Sequence, residues 1–417
     1  MRPLITIGFL FFIFGFVTWM SSVLVPYLQL ACELDYFESQ LVAFAFYISY
    51  FVMGIPSGMV LKKTGLKNGM AIGLLVMAVG AILFIPAANS RSYQMFLIGL
   101  FVQGTGLAVL QTASNPYVTI LGPIESAAKR ISVMGICNGV AGVIGPLVLG
   151  AILLNDSQLL VDKIGTMDVA SKIQALQTLA NKVIVPYIFV AVSLVLLAFF
   201  IFRSDLPEIS DSDPDDITEP FIAGKTLWDF PYLILGVFTI FLYTGVEVIA
   251  GNTIIGYATF KGIPMSSARF FTSLTLASML VGYLVGIFSI PRYFSQQQAL
   301  KMSSVLAIVF SIAALSTNGW ISVMFIALLG LSNALMWPSI WPLAIHGLGS
   351  FTKIGSALMV MAIAGGGVLP LDYGWLADRY DPQFAYWMLL PCYLFILYYS
   401  LAGHKIGIKK AVAELVL

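Results

Sequence analysis

The sequence contains little charge and very few histidine or cysteine residues. Of its 417 residues, 10% are Asp, Glu, Lys or Arg, whereas about 25% of a soluble globular chain is charged. There are two histidines, and the three cysteines, Cys32, Cys137 and Cys392, lie far apart in the chain. This inventory favours neither a metal site nor a disulfide framework. The net charge of +1 indicates no nucleic-acid partner.

Long apolar runs take the place of charge. Hydrophobic residues make up 59% of the chain, and the mean hydropathy is +0.94. Such a chain cannot cover a water-facing surface, so we predict that it lies in a lipid bilayer, whose core requires about 20 helical residues per crossing. The runs are continuous and not alternating, which indicates helices instead of barrel strands. We number the predicted spans 1 to 12, at residues 4–28, 39–61, 69–88, 94–121, 131–154, 184–203, 229–258, 267–290, 302–316, 319–347, 354–376 and 383–402.

The distribution of lysine and arginine predicts the orientation of these spans. If the N-terminus is cytoplasmic, fourteen of the 21 basic residues fall on the cytoplasmic side and seven fall on the opposite side. The excess of basic residues on one side favours a topology in which both termini are cytoplasmic.

An acidic segment divides the chain into two parts. Residues 204–220 carry seven carboxylates and three prolines, so they cannot bury apolar surface and are interpreted as a solvated linker. We therefore predict a six-helix half at residues 1–203, a cytoplasmic linker at 204–226 and a second six-helix half at 227–417.

The two halves show signs of a repeat. Gly54 near the end of span 2 matches Gly282 in span 8, and Pro116 in span 4 matches Pro342 in span 10 at nearly the same separation along the chain. Two repeated six-helix halves are the plan of the major facilitator superfamily. In that plan the substrate binds near the membrane midplane between the halves, and the halves rock to expose it to either side.

Polar residues interrupt span 4. Residues 93–121 contain no charged side chain, yet Gln111, Ser114, Asn115 and Pro116 lie close together. Polar groups are unfavourable against lipid, so we expect Gln111, Ser114 and Asn115 to face a central cavity, where uncharged amides suit a neutral polyhydroxy substrate. Alternatively, these side chains connect one helix to another.

Several motifs point to a known family. The sequences LQTASNPYVTIL at 110–121, MWPSIW at 336–341 and AGGGVLP at 364–370 resemble the fucose–proton symporter family, and within it the glucose/galactose permease branch. The resemblance extends over nearly the whole chain. It implies an all-α membrane protein of the major facilitator fold that imports a hexose or deoxyhexose across the bacterial inner membrane, driven by protons or sodium ions.

The resemblance also suggests site residues. Asn138 in span 5 corresponds to the family's asparagine, and Gln111 stands where fucose-transporting members have a carboxylate and the glucose branch has glutamine. The family has an Asn-Asp pair in span 1, of which the Asp is thought to carry the proton. This chain has Ser21 and Ser22 there. We retain Ser22 as a candidate substrate contact and expect no proton site in span 1.

Glu247 is the best candidate for coupling transport to an ion. It is the only carboxylate deep in span 7, and a lone carboxyl that gains and loses a proton suits a proton carrier. The glucose branch has a glutamate at this place too. Alternatively, Glu247 has a purely structural role, in which its carboxyl forms a hydrogen bond to a neighbouring helix. Asp372 in span 11 is the second candidate: it pairs with Glu247, joins a sodium site or faces the outer vestibule.

Aromatic side chains supply the remaining candidates, because their rings can stack on the apolar face of a sugar. Trp337 matches Gln111 across the repeat, which makes it the first choice. The other rings on helices expected to face the cavity are Trp19, Tyr47, Tyr117 and Trp341. Asn333 in span 10 is a further polar contact. For any single ring, packing against other helices is the competing explanation.

Other functions are less well supported by the sequence. Intramembrane hydrolases need a Ser-His, paired Asp or metal arrangement, whereas His346 and His404 lie near predicted helix ends. We therefore expect no enzyme activity, no cofactor and no metal, and we expect a monomer. A facilitator or exchanger without ion coupling, and a symporter of an amino sugar or another small polar solute, stay open as alternatives.

Overall fold

The computed structural model describes residues 2–120, 127–154, 167–204, 226–290, 293–348 and 351–407, without the side chains of 2–4, 115–120, 127–132 and 352–353. These residues form helices and turns, with no strand among them. Most of the predicted linker, residues 205–225, lies outside this description, so the linker stays a prediction.

The helices of the first half follow the predicted spans closely. Span 6 begins and ends where it was predicted, and the other helices differ from the predicted bounds by a few residues. The helices are Arg2–Ala31 for span 1, Tyr36–Ile82 with Phe84–Asn89 for spans 2 and 3, Tyr93–Ile120 for span 4, Ala127–Leu153 for span 5 and Ile184–Arg203 for span 6.

Several helices of the second half consist of two pieces. Each break lies within a predicted span. The helices are Pro231–Asn252 with Ile254–Phe260 for span 7, Phe271–Ser289 for span 8, Gln296–Ser316 for span 9, Gly319–Asn333 with Met336–Ile345 for span 10, Thr352–Met361 with Gly365–Arg379 for span 11 and Leu389–Leu401 for span 12.

Spans 2 and 3 form one helical stretch bent at Gly65. Eleven helical stretches in the described ranges are long and apolar enough to cross a membrane, and one of them covers 54 residues. At about 1.5 Å per residue this stretch is far longer than the roughly 30 Å bilayer core. Gly65 has φ 77° and ψ 168°, a conformation that glycine adopts without steric penalty. The stretch therefore makes two crossings, which gives the predicted twelve.

The same helix crossing occurs once in each half. Span 4 meets span 2 at Gly104, where an added Cβ would lie 2.3 Å from the Phe46 carbonyl oxygen. Span 10 meets span 8 at Gly330, the repeat equivalent of Gly104, where an added Cβ would lie 2.0 Å from the Thr275 carbonyl oxygen. In both places the missing side chain lets two backbones touch, as is common in membrane helices.

A second crossing repeats with the glycine on the opposite partner. Span 1 meets span 5 at Gly15, where an added Cβ would lie 2.0 Å from the Asn138 carbonyl oxygen. Span 7 meets span 11 at Gly365, where an added Cβ would lie 1.9 Å from the Phe241 carbonyl oxygen. The repeat matches Gly15 with Phe241 and Asn138 with Gly365, and the separation along the chain is almost the same for both matches. The packing therefore shows the pseudo-symmetry that the sequence predicts.

An additional helix, Val169–Asn181, lies before span 6 and was not predicted from the apolar runs. Tyr27 at the end of span 1 donates hydrogen bonds to the carbonyl oxygens of Leu179 (2.6 Å) and Ala180 (2.9 Å). These bonds hold the helix against the end of span 1.

An ionic cluster surrounds Glu33 at the same end of the bundle. Glu33 pairs with Lys172 at 2.5 Å and with Arg91 at 3.2 Å. The Lys172 hydrogen bond, with the charges of Lys172 and Arg91, lowers the pKa of Glu33. We call this end of the bundle the Glu33 end, and the opposite end, where Lys62 is exposed at the junction of spans 2 and 3, the Lys62 end.

Candidate functional site

Span 7 places Glu247 beside a tyrosine of its own helix. Tyr243 lies one turn earlier, so the two side chains share a face. The Tyr243 hydroxyl donates a hydrogen bond to Glu247 Oε1 at 2.6 Å. Tyr243 is buried, whereas Glu247 is partly exposed. Within the described ranges no ion pair reaches Glu247, so its hydrogen-bonding partner is an uncharged hydroxyl.

Three further tyrosines from other helices lie within electrostatic range of this carboxyl. Tyr47 of span 2, Tyr283 of span 8 and Tyr393 of span 12 all interact electrostatically with Glu247. Tyr47 belongs to the first half, yet its ring lies 3.1 Å from the position of a Cβ on Gly366 in span 11. Glu247 therefore lies where the two halves meet, among phenolic groups that can donate and accept hydrogen bonds.

Span 10 brings two more predicted residues to the same region. Asn333 is buried, and its Oδ1 accepts a hydrogen bond from the Tyr393 hydroxyl at 3.0 Å. Trp337 stacks on Trp341 with 5.3 Å between ring centroids, and its ring centroid lies 6.3 Å from that of Tyr243. Both tryptophans are half-buried. The structure thus brings Glu247, Asn333 and Trp337 together through Tyr243 and Tyr393.

Span 1 contacts the second half through Ser21. The Asn252 amide nitrogen donates a hydrogen bond to Ser21 Oγ at 3.2 Å, and Asn252 Oδ1 is buried with no partner in the described part of the chain. Ser22, the candidate chosen from the sequence, is fully buried and donates to the Trp19 carbonyl oxygen of its own helix at 2.7 Å. The hydroxyl that contacts the second half is therefore that of Ser21 and not that of Ser22.

The candidates of spans 4 and 5 lie in the first half, and no contact among the described residues joins them to this cluster. Gln111 is half-buried, and Ser114 is fully buried with no hydrogen-bond partner for its hydroxyl among the described residues. The side chain of Asn115 lies outside the described residues. Asn138 donates to the Phe11 carbonyl oxygen at 3.4 Å, which connects span 5 to span 1. The substrate-binding role of these four residues stays a prediction.

Asp372 does not join the Glu247 cluster. It lies on an exposed face of span 11 and interacts electrostatically with Cys392 of span 12. In the part of the chain that is described, neither a hydrogen bond nor an ion pair connects Asp372 to Glu247. The described residues therefore show no contact between Asp372 and Glu247 that would support the predicted pairing of the two acids.

The apolar cavity of about 300 Å³ between spans 1, 5 and 6 is a different feature. Its described lining is almost entirely aliphatic and aromatic, and Ser193 is the one polar side chain among those residues. Such a lining offers a sugar few hydrogen-bonding partners. We therefore place the candidate site at Glu247 and not in this cavity.

Sequence reasoning missed an inter-half contact made by Asp378. Its two carboxylate oxygens accept hydrogen bonds from the backbone nitrogens of Tyr36 (2.9 Å) and Phe37 (2.7 Å). Tyr36 begins span 2 of the first half, and Asp378 lies near the end of span 11 in the second. A carboxylate at a helix N-terminus is a favourable, charge-assisted arrangement. The halves are thus joined at the Glu33 end.

Replacing Asp378 with alanine is expected to loosen this contact. The Asp378 side chain is exposed, so we expect the contact between the halves to lose about 1 kcal/mol. This loss corresponds to a roughly fivefold rise in the population of molecules whose halves are separated at the Glu33 end. The alkylation rate of a Tyr36→Cys variant, in a background without the native cysteines, reports that population. Asp381→Ala is the matched control, because Asp381 caps a helix of its own half at Phe384. Equal rates in both variants would argue against the contact.

Comparison with known proteins gives a consistent family. The sequence pattern described as the Major Facilitator Superfamily matches residues 7–369. A glucose/galactose transporter of Brucella abortus biovar 1 (strain 9-941) is 33% identical over 408 residues, which is 96% of this chain and 94% of the relative. An L-fucose-proton symporter of Escherichia coli (strain K12) is 30% identical over 378 residues, which is 88% of this chain and 85% of the relative.

Solved structures resemble this one along the whole chain. A major facilitator superfamily transporter in the outward conformation matches with a TM-score of 0.73 and 29% identity, covering 95% of this chain and 97% of that one. A structure of the E. coli fucose:proton symporter matches with a TM-score of 0.72 and 27% identity, and the match covers 96% of this chain and 98% of that one.

Proposed function

This chain belongs to the major facilitator superfamily, and we propose that it imports a neutral hexose-type sugar together with an ion by alternating access. The observation that carries the proposal is Glu247, a carboxyl at the interface of the halves that forms no ion pair among the described residues and lies beside hydroxyl and aromatic groups. Relatives named for glucose, galactose and fucose transport support the same substrate class.

The groups around Glu247 suit an uncharged sugar. Amides and phenolic hydroxyls both donate and accept hydrogen bonds, as sugar hydroxyls do, and Asn333 with Tyr393 offers such a pair. Trp337 and Trp341 offer ring faces next to Tyr243. Gln111, Ser114, Asn115 and Asn138 are our candidates for contacts from the first half.

We assign the coupling ion to Glu247 and favour a proton. A sodium ion needs several oxygen ligands, preferably with charge, whereas among the described residues this carboxyl accepts a hydrogen bond from one tyrosine hydroxyl. One carboxyl that binds and releases one proton per cycle needs no further acid. The relative named as an L-fucose-proton symporter supports the same ion. Asp372 is a secondary candidate.

Replacing Trp337 with alanine is expected to weaken sugar binding. Loss of the ring face should raise the half-saturating sugar concentration by about tenfold and leave the maximal rate within about twofold, because the coupling carboxyl is unchanged. The measurement is the concentration dependence of labelled glucose and galactose uptake into liposomes. Trp387→Ala is the control, since that ring is 54% exposed and outside the site. An unchanged half-saturating concentration would remove Trp337 from the site.

We further propose that the protein resides in the bacterial inner membrane as a monomer with both termini in the cytoplasm. The excess of basic residues supports this orientation, which makes the Lys62 end cytoplasmic and the Glu33 end external. The site lies between two halves of one chain, so transport requires no second copy. Labelling of cysteines introduced at Lys62 and at Ser90, in intact cells, tests the orientation.

A facilitator or exchanger without ion coupling is the second candidate. The observation in its favour is the pair Ser21 and Ser22, which stands where the related family has an acid. Sugar equilibration without accumulation, under an imposed proton or sodium gradient, would identify a facilitator. An absence of sugar movement would favour another small polar solute, such as an amino sugar.

A further inference from the structure

Trp19 of the first half is inserted into the second half. Its side chain is only 7% exposed and packs with Leu276 and Met279 of span 8 and Ala334 of span 10, in a small apolar cluster. All three partners belong to the second half. A buried tryptophan ring covers a large apolar area, so this insertion stabilises the contact between the halves.

Two glycines on opposite sides make room for the ring. A Cβ added to Gly251 in span 7 would lie 2.5 Å from Trp19 Cζ3, and a Cβ added to Gly142 in span 5 would lie 2.7 Å from Trp19 Cδ1. Both distances are shorter than carbon atoms tolerate, so alanine at either position would displace the ring. Gly142 belongs to the same half as Trp19, whereas Gly251 belongs to the opposite half.

The position of the ring relative to Glu247 indicates what it does. Gly251 follows Glu247 by four residues, which is about 6 Å along the helix, in the direction of the Glu33 end. The bond between Asn252 and Ser21 crosses the interface at the same level. Trp19 therefore lies between Glu247 and the Glu33 end.

We propose that Trp19 is the gate that separates the Glu247 site from the Glu33 end, and that Gly142 and Gly251 form the slot in which its ring closes. The inference rests on the proposed transport function. Opening of the Glu33 end requires the halves to separate there, which carries Trp19 away from Gly251, Leu276 and Met279. The approach of Trp19 to Gly142 persists, because both belong to one half.

This difference yields an asymmetric prediction for two glycine substitutions. Gly251→Ala collides with the ring only when the Glu33 end is closed, so it should favour the open form by at least about tenfold. Gly142→Ala displaces the ring within its own half, so it should impair closure less specifically. In both variants uptake should fall, while sugar binding from the Glu33 end should persist in Gly251→Ala.

The experiment measures closure without sugar. Spin labels on Ser90→Cys and Ser316→Cys, both exposed at the Glu33 end of different halves, report the distance between the halves in a background without the native cysteines. Gly251→Ala should populate a longer distance. Gly256→Ala is the matched control, because a Cβ there meets no atom within 4 Å in the described ranges, and it should keep the original distance and uptake.

A second substitution distinguishes a gate from a folding defect. Trp19→Phe shortens the side chain, so Gly251→Ala with Trp19→Phe should recover the short distance that Gly251→Ala alone loses. A short distance in Gly251→Ala itself, with full uptake, would overturn the proposal, as would a long distance that Trp19→Phe fails to reverse. If the distances behave as expected but the unmodified protein moves no sugar, the gate stands and the proposed substrate is wrong.

Discussion

Replacing Glu247 with glutamine is expected to abolish accumulation of sugar against its gradient while sugar exchange continues. Glutamine has the same shape and its oxygen can still accept the hydrogen bond from Tyr243, but it cannot gain or lose a charge. A pH gradient of one unit supplies about 1.4 kcal/mol per proton, enough for about tenfold accumulation. The variant should lose this whole factor. Uptake of labelled glucose and galactose into proton-gradient liposomes measures it, beside counterflow without a gradient.

The same substitution at the other intramembrane acid is the control. Asp372→Asn changes a carboxyl that makes no described contact with the Glu247 cluster, so accumulation should stay within about twofold of the unmodified protein. Normal accumulation in Glu247→Gln would show that coupling lies elsewhere. If only Asp372→Asn lost accumulation, the coupling role would pass to span 11. Repeating both arms with a sodium gradient identifies the ion.

Replacing Gly365 with alanine is expected to destabilise the second half severely. An added Cβ would lie 1.9 Å from the Phe241 carbonyl oxygen, and a backbone atom cannot turn aside as a side chain can. Span 11 would have to separate from span 7 along the helix that carries Glu247. We expect a loss of about 3 kcal/mol, seen as a lower midpoint for survival of the monodisperse peak after heating in detergent.

The control for this substitution is a glycine with free space around it. A Cβ on Gly135 in span 5 meets no atom of the described residues within 4 Å, so Gly135→Ala should leave the midpoint unchanged or raise it slightly, because alanine favours helix. Gly15→Ala in the first half should behave like Gly365→Ala, since it removes the equivalent crossing. Equal midpoints for Gly365→Ala and Gly135→Ala would contradict the described packing.

Candidate residues were predictable where residue type alone is informative. A carboxyl such as Glu247 in an apolar span is conspicuous because charge is scarce there, and Asn333 and Trp337 were named for similar reasons. The structure groups these three. It does not place Asp372 with them, because its position on span 11 turns it to an exposed face. Residue type carries no information about which face a neighbouring helix will cover.

The partners of these residues were not predictable. Tyr283 and Tyr393 are two of 18 tyrosines, and nothing local separates them from those that only pack. Tyr47 was named only as one of five rings expected to face the cavity, without its proximity to Glu247. The contact of Asp378 with the start of span 2 joins residues from opposite ends of the chain. The slot for Trp19 depends on two glycines among 37, selected only by how two halves meet.

The membrane class, the number of spans and the repeat follow from the amino-acid sequence without any tertiary information. The physical reason is that lipid cannot hydrogen-bond a backbone, so each crossing must be a long apolar helix that is visible in composition. Tertiary structure alone decided the bend at Gly65, the surroundings of Glu247, the contact of Asp378 and the seat of Trp19. These features depend on distances between helices far apart in sequence, which are set by the packing of whole surfaces and leave no local pattern.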